Sequence, residues 1–277
     1  MLGLDQKGRE FVATKGFALY MLLMAIQIAA WPLAVFVTKR IARAPGSNTF
    51  EYGCVWAMLF ALMLAPMSYG MLWHEGLGLT YSGVKIGAVW VVGAGVGSFV
   101  MANIDLMRFE AQALESRLRP GSISWDDIKN LERLRSDVRH LLFIAGVILS
   151  LSVLPTASLF QVVKATSADL AGQKWEFQNV VAFGLFNSML LALSYARTAW
   201  QIRAAGEALW NAWLPSTAGE ESSQLSKPEL ASYKEAGELR ERLGLDSAFT
   251  EPLRIAAPVL GPLLTALLGV IGLKASS

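Results

Sequence analysis

Residues 141–163 read LLFIAGVILSLSVLPTASLFQVV, an unbroken run without Asp, Glu, Lys or Arg. As a helix rising 1.5 Å per residue it reaches about 34 Å, enough to cross a hydrocarbon core of about 30 Å. This stretch decides the class of the fold, because an isolated apolar helix of that length has a bilayer as its natural solvent. Immediately upstream, Ser124 and Asp127 have the spacing of a capping box, and Ile128, Leu131, Leu134, Val138 and Leu141 form one stripe that feeds directly into the run.

Further upstream, Arg119-Pro120-Gly121 breaks the chain after a second stripe, Met107, Ala111, Leu114 and Leu118, which prolongs another apolar block, Gly83 to Asn103. Two stripes joined by a short turn are expected to zip into an antiparallel hairpin extending about 20 Å beyond the bilayer.

The rest of the chain repeats the theme. Apolar blocks lie at Phe17 to Thr38, Gly53 to Trp73, Gly83 to Asn103, Leu141 to Val163, Val180 to Ala196 and Leu253 to Leu273. The expected fold class is therefore all-α, a polytopic helical membrane protein of six spans. The count falls to five if the last block, which carries Pro258 and Pro262, is re-entrant. Composition agrees: among 277 residues 54% are hydrophobic and 17% charged, where a soluble domain carries about a quarter charged, and the mean hydropathy is +0.42. An extended soluble catalytic domain is excluded. The first block is longer than the core of a secretory signal and is followed at once by Lys39 and Arg40, so it is read as a retained span.

The fifth block is expected to run on as helix through Trp200, Leu209, Trp210 and Trp213 to Pro215. Ser226 and Glu229 then form a second capping box around Pro228, ahead of Leu230, Tyr233, Leu239 and Leu243. The organisation expected is three spans over 1–103, a cytoplasmic helical hairpin over 104–140, spans four and five over 141–196, a cytoplasmic helical segment over 197–251 and a C-terminal membrane segment over 252–277. Orientation follows from basic residues, which accumulate in cytoplasmic loops. Alternate loops hold 17 of them on one side, including Arg108, Arg117, Arg133 and Arg203, and 7 on the other. That places both termini outside the cytoplasm, in what is expected to be a bacterial inner membrane.

Chemistry-bearing residues are sparse. The one cysteine, Cys54, excludes an intrachain disulfide, and a net charge of +2 gives no reason to expect a nucleic-acid partner. His74 and His140 fall on opposite sides of the expected topology, so no shared metal, no cofactor and no enzymatic activity are predicted. The bilayer interior carries only neutral polar side chains: Gln27, Ser150, Ser152, Thr156, Ser158, Asn187 and Ser188. Such groups either line a wet path or hydrogen-bond between helices.

In the third block Gly93 and Gly97 make a small-xxx-small pair, which predicts close helix packing, either within the chain or between subunits of a homo-oligomer. Below them Asn103, Asp105 and Arg108 are candidates for a polar ring at the cytoplasmic mouth. The function expected is non-enzymatic: an oligomeric channel, pore or membrane effector whose cytoplasmic helices sense or dock a protein partner. The alternatives are a scaffold or anchoring subunit of a larger envelope complex and a permease subunit.

Overall fold

The computed structural model describes residues 13, 15–41, 53–61, 82–118, 124–166, 178–213, 237–240, 243, 245 and 250–275. Among these the regular elements are all helical: α1 (Lys15–Ile41), α2 (53–61), α3 (Ser82–Arg117), α4 (Trp125–Thr166), α5 (Gln178–Trp213) and α6 (Thr250–Ala275), with a further helical turn at 237–240. The all-α character expected from the sequence holds for the described residues. Four segments are long and apolar enough to cross a membrane: Gly16–Ile41, Val91–Arg117, Trp125–Leu159 and Val180–Ala212. They overlap the first, third, fourth and fifth expected spans, although three of them extend well beyond the expected bounds. The second expected span is helical over 53–61, and its remainder, 62–73, lies outside the described residues.

Three helices are far longer than a crossing requires. α3 and α5 have 36 residues each and α4 has 42, so they extend about 54 Å and 63 Å against a hydrocarbon core of about 30 Å. None breaks where its sequence turns from apolar to charged. The start of α4 is fixed by a reciprocal cap: the Asp127 N–H donates to Ser124 Oγ at 3.2 Å, while the Ser124 N–H donates to Asp127 Oδ2 at 2.9 Å. This is the capping box that the sequence spacing predicts, and it satisfies two amides that a helix start would otherwise leave open. The second expected capping box, at Ser226 and Glu229, lies outside the described residues.

Contacts divide the chain into two compact units. One comprises Met1–Asn103, Leu141–Ala192 and Ala257–Ser277; the other comprises Ile104–His140 and Leu193–Ala256. In the first unit, α6 packs on α4 and α5 through small residues. A Cβ on Gly146 would lie 2.6 Å from the Pro258 carbonyl oxygen, one on Gly261 2.9 Å from Ser150 Oγ, and one on Gly269 3.2 Å from the Ala157 Cβ. Residue numbers rise together along this seam, so α6 runs parallel to α4. On α5, a Cβ on Gly184 would meet the Ala266 Cβ at 2.6 Å, and the Leu263 N–H donates to Ser188 Oγ at 3.2 Å.

The two prolines explain the intimacy of this seam. Pro262 has no N–H for the Pro258 carbonyl four residues back, and the absence of a side chain at Gly146 lets a neighbouring helix approach that oxygen. α6 is one uninterrupted helix from Thr250 to Ala275, and its apolar part, Ala256–Gly269, is shorter than the four segments long enough to cross. α1 meets α4 where Tyr20, Leu159 and Val162 pack with Phe17 and Met24. Leu22, Leu33 and Phe36 of α1 stay exposed, as befits a helix that is apolar on every side.

The second unit buries most of the two predicted stripes; Leu118 is only half-buried, and Leu141 is buried in the first unit. Met107, Ala111 and Leu114 of α3 and Ile128, Leu131, Leu134 and Val138 of α4 are all buried, and α5 adds Ile202, Ala205 and Leu209. Gly206 of α5 admits the Leu131 side chain, whose Cδ2 lies 3.4 Å from where a Cβ would stand. Arg133 pairs with Glu110 at 3.6 Å at the surface, the part-buried Gln201 amide donates to Glu115, and in the interior Thr198 Oγ1 donates to the Ile104 carbonyl at 3.3 Å. The exposed ion pair contributes little on its own; the buried stripes hold this unit together.

Candidate functional site: a neutral polar cavity in the membrane bundle

The polar residues of the apolar helices serve different ends. Ser150 and Ser188 serve helix packing, the former against Gly261 and the latter as acceptor for the Leu263 amide. Gln27, Ser152 and Asn187 instead converge from α1, α4 and α5 on a cavity of about 40 Å³, whose wall is completed by Trp31, Phe60, Gly93, Ala94, Ile148, Leu149 and Phe183. Of the two uses weighed from the sequence, hydrogen bonding between helices is present at Ser188.

Pro155 lies in α4 just beyond Ser152. It offers no N–H to the carbonyl four residues back, and the neighbouring hydroxyls turn onto their own helix, Ser152 Oγ to the Leu149 carbonyl at 2.6 Å and Thr156 Oγ1 to the Ser152 carbonyl at 2.9 Å. Gln27 and Ser152 also line a second, smaller cavity of about 10 Å³ with Tyr20, Met24, Pro155, Thr156 and Leu159. Two side chains thus belong to both spaces.

The electrostatics of the larger cavity are those of neutral dipoles, since none of its lining residues is charged. Asn187 is 0% exposed, yet neither Oδ1 nor Nδ2 has a hydrogen-bond partner in the protein, and the same holds for Trp31 Nε1. Leaving such a group unpaired costs about 1–3 kcal/mol. Trp31 was not legible as a site residue in the sequence, where an indole within a span reads as packing; only the unpartnered nitrogen singles it out.

The glycines of α3 are placed by their neighbours within the chain. A Cβ on Gly93 would stand 3.0 Å from Trp31 Cζ2, and one on Gly97 would stand 3.3 Å from Phe60 Cζ; Gly95 has nothing within 4 Å. Aromatic rings of α1 and α2 fill the space that the small residues leave. Of the residues considered for a polar ring, Asn103 is buried and its Nδ2 donates to the Phe99 carbonyl of its own helix at 2.7 Å. Asp105 is buried, and the Arg108 guanidinium lies over the Phe109 ring, 4.6 Å from its centroid. At about 100° per residue Asp105 and Arg108 are about 60° apart around α3, whereas Asn103 is about 140° or more from both. One helix face does not present all three.

Among the described residues no group of three His, Cys, Asp or Glu side chains converges as a metal site. His140 Nδ1 lies 2.8 Å from the Ser136 carbonyl, and Cys54 is exposed. His74 and Glu75 lie outside the described residues. The chain matches no protein-family model, no curated protein and no solved structure.

Proposed function

We propose that the chain is a non-enzymatic integral membrane protein, a channel, pore or other membrane effector worked through cytoplasmic helices that dock a protein partner. The observation that carries this reading is the continuity of α3, α4 and α5, which pass without a break from apolar to charged sequence. A load applied to the charged part of such a helix is transmitted along its axis to the apolar part, where a flexible linker would dissipate it.

Six crossings and a homo-oligomeric assembly belong to the proposal. The parallel course of α6 and α4 supports six, because the fourth and sixth crossings of an alternating chain share one direction. The excess of basic residues, 17 against 7, assigns loops one, three and five to the cytoplasm and both termini to the other side of a bacterial inner membrane.

The second reading is a scaffold or anchoring subunit of an envelope complex. It is favoured by the engagement of Gly93 and Gly97 with Trp31 and Phe60 of the same chain, which leaves those glycines unneeded at a subunit interface. Reconstitution of the purified protein in liposomes separates the two. Ion or dye permeability above that of protein-free vesicles supports the channel or pore reading. Vesicles as tight as the protein-free control contradict it and leave the scaffold.

A further inference from the structure

We infer that the level at which α3, α4 and α5 turn from apolar to charged is a binding layer for the headgroups of anionic phospholipids. The inference rests on the reading that these helices cross a bilayer, and not on which side their charged parts face.

Contacts inside the second unit fix the level. Thr198 Oγ1 donates to the Ile104 carbonyl, Arg133 meets Glu110, and the Leu131 side chain meets Gly206. Counted toward the apolar sequence, six residues from the ion pair lead to Ile104 on α3 and Arg139 on α4, and eight from the Leu131 contact lead to Arg139 and to Thr198 on α5. Three independent contacts thus put Ile104, Arg139 and Thr198 at one height.

The exposed faces change character there. On α5 the exposed residues Leu185, Met189 and Leu193 recur every four positions, and the next member of the series is the exposed Arg197. On α4 the exposed Val147 and Phe143 are followed at the same spacing by the exposed Arg139. Residues four apart share one side of a helix, so on both helices a lipid-facing stripe ends in a guanidinium. Trp200, 76% exposed, stands about one turn beyond Arg197, and an amphipathic indole suits the headgroup region.

The charge of the layer has one sign at its surface. Over 104–109, 136–140 and 193–200 the charged residues are Arg108, Arg139, Arg197, Asp105 and Asp137. Arg139 and Arg197 are exposed, and Arg108 is half-buried over the Phe109 ring. Asp105 is buried, and the half-buried Asp137 lies 3.6 Å from Arg133 Nε. Farther along, the exposed charges Glu110, Lys129, Glu132, Arg203 and Glu207 mix both signs. The arginines therefore face outward one turn from side chains that belong in hydrocarbon, where phosphates of the bilayer lie. A guanidinium matches a phosphate through paired N–H donors, and an anionic bilayer surface attracts basic residues within a Debye length of it.

Electron spin resonance of spin-labelled lipids tests this on the full-length protein in phosphatidylcholine bilayers. At low salt, labelled phosphatidylglycerol should associate with the protein boundary at least about twofold more strongly than labelled phosphatidylcholine. At about 1 M salt, where the Debye length is about 3 Å, the preference should collapse. Equal association of the two lipids at low salt overturns the proposal and leaves the arginines to a protein partner. Arg139→Gln and Arg197→Gln should each weaken the preference. Lys129→Gln removes the same charge about 15 Å farther along α4 and should preserve it. A preference unchanged in both arginine variants, or weakened equally by Lys129→Gln, overturns the assignment to this layer. Failure of the parent protein to enter bilayers of either lipid would overturn the membrane reading itself, and this proposal with it.

Discussion

The carbonyl oxygen of Pro258 lies 2.6 Å from the position that a Cβ would occupy on Gly146. Backbone therefore meets backbone between α4 and α6, with no flexible side chain available to yield. Gly146→Ala must push the helices apart, at a cost of about 1–3 kcal/mol, despite the better helix propensity of alanine. The expected result is a lower Tm for the purified protein in detergent. An unchanged Tm would show that α6 is not seated on α4.

The glycine face of α3 has a built-in control. Gly93→Leu drives a large side chain into the Trp31 ring, whereas Gly95→Leu projects into a space with nothing within 4 Å. Loss of folded protein is expected for the first variant and a folded, monodisperse product for the second, judged by size-exclusion chromatography. Equal behaviour of the two would remove Trp31 as the partner of Gly93.

Leu131 is 1% exposed, at the centre of the stripe that α4 presents within the second unit. Leu131→Asp puts a carboxylate where water does not reach, costing a few kcal/mol, about 3 in order of magnitude, unless the group protonates or the helices part. Limited proteolysis should cut the variant faster within Ile104–His140 than the parent. Identical protease resistance would contradict a packed seam.

The capping box gives a smaller and cleaner effect. Ser124→Ala removes the oxygen that accepts the Asp127 amide at 3.2 Å, and the expected loss is about 1 kcal/mol. Thermal denaturation should detect it, and no loss beyond the error of the measurement would mean that the start of α4 is held by something else.

The sequence was informative about local features and silent about tertiary ones. The long helices were legible because apolar blocks and period-3.6 stripes are local signals: Met107, Ala111 and Leu114 predict a buried face from spacing alone, and Ser124 and Asp127 mark a helix start. The seam between α4 and α6 was not, because Gly146, Gly184, Pro258 and Pro262 each have several uses, and their pairing depends on which helices lie side by side. The cavity was half legible. Gln27, Ser152 and Asn187 stood out as polar residues in apolar blocks, but their convergence, and the involvement of Trp31, are tertiary facts. Gly93 and Gly97 announced close packing without saying that aromatic rings would supply it.

In the proposed orientation α3, α4 and α5 carry their charged parts into the cytoplasm and the N-terminus lies on the opposite side. Cysteine accessibility tests it directly, in a background where Cys54 is replaced by serine. With a membrane-impermeant maleimide on intact cells, Ala13→Cys should be labelled, and Ser116→Cys on the exposed surface of α3 should react only after the membrane is permeabilised. The opposite pattern, Ser116→Cys labelled from outside and Ala13→Cys protected, would contradict the orientation and with it the cytoplasmic docking role.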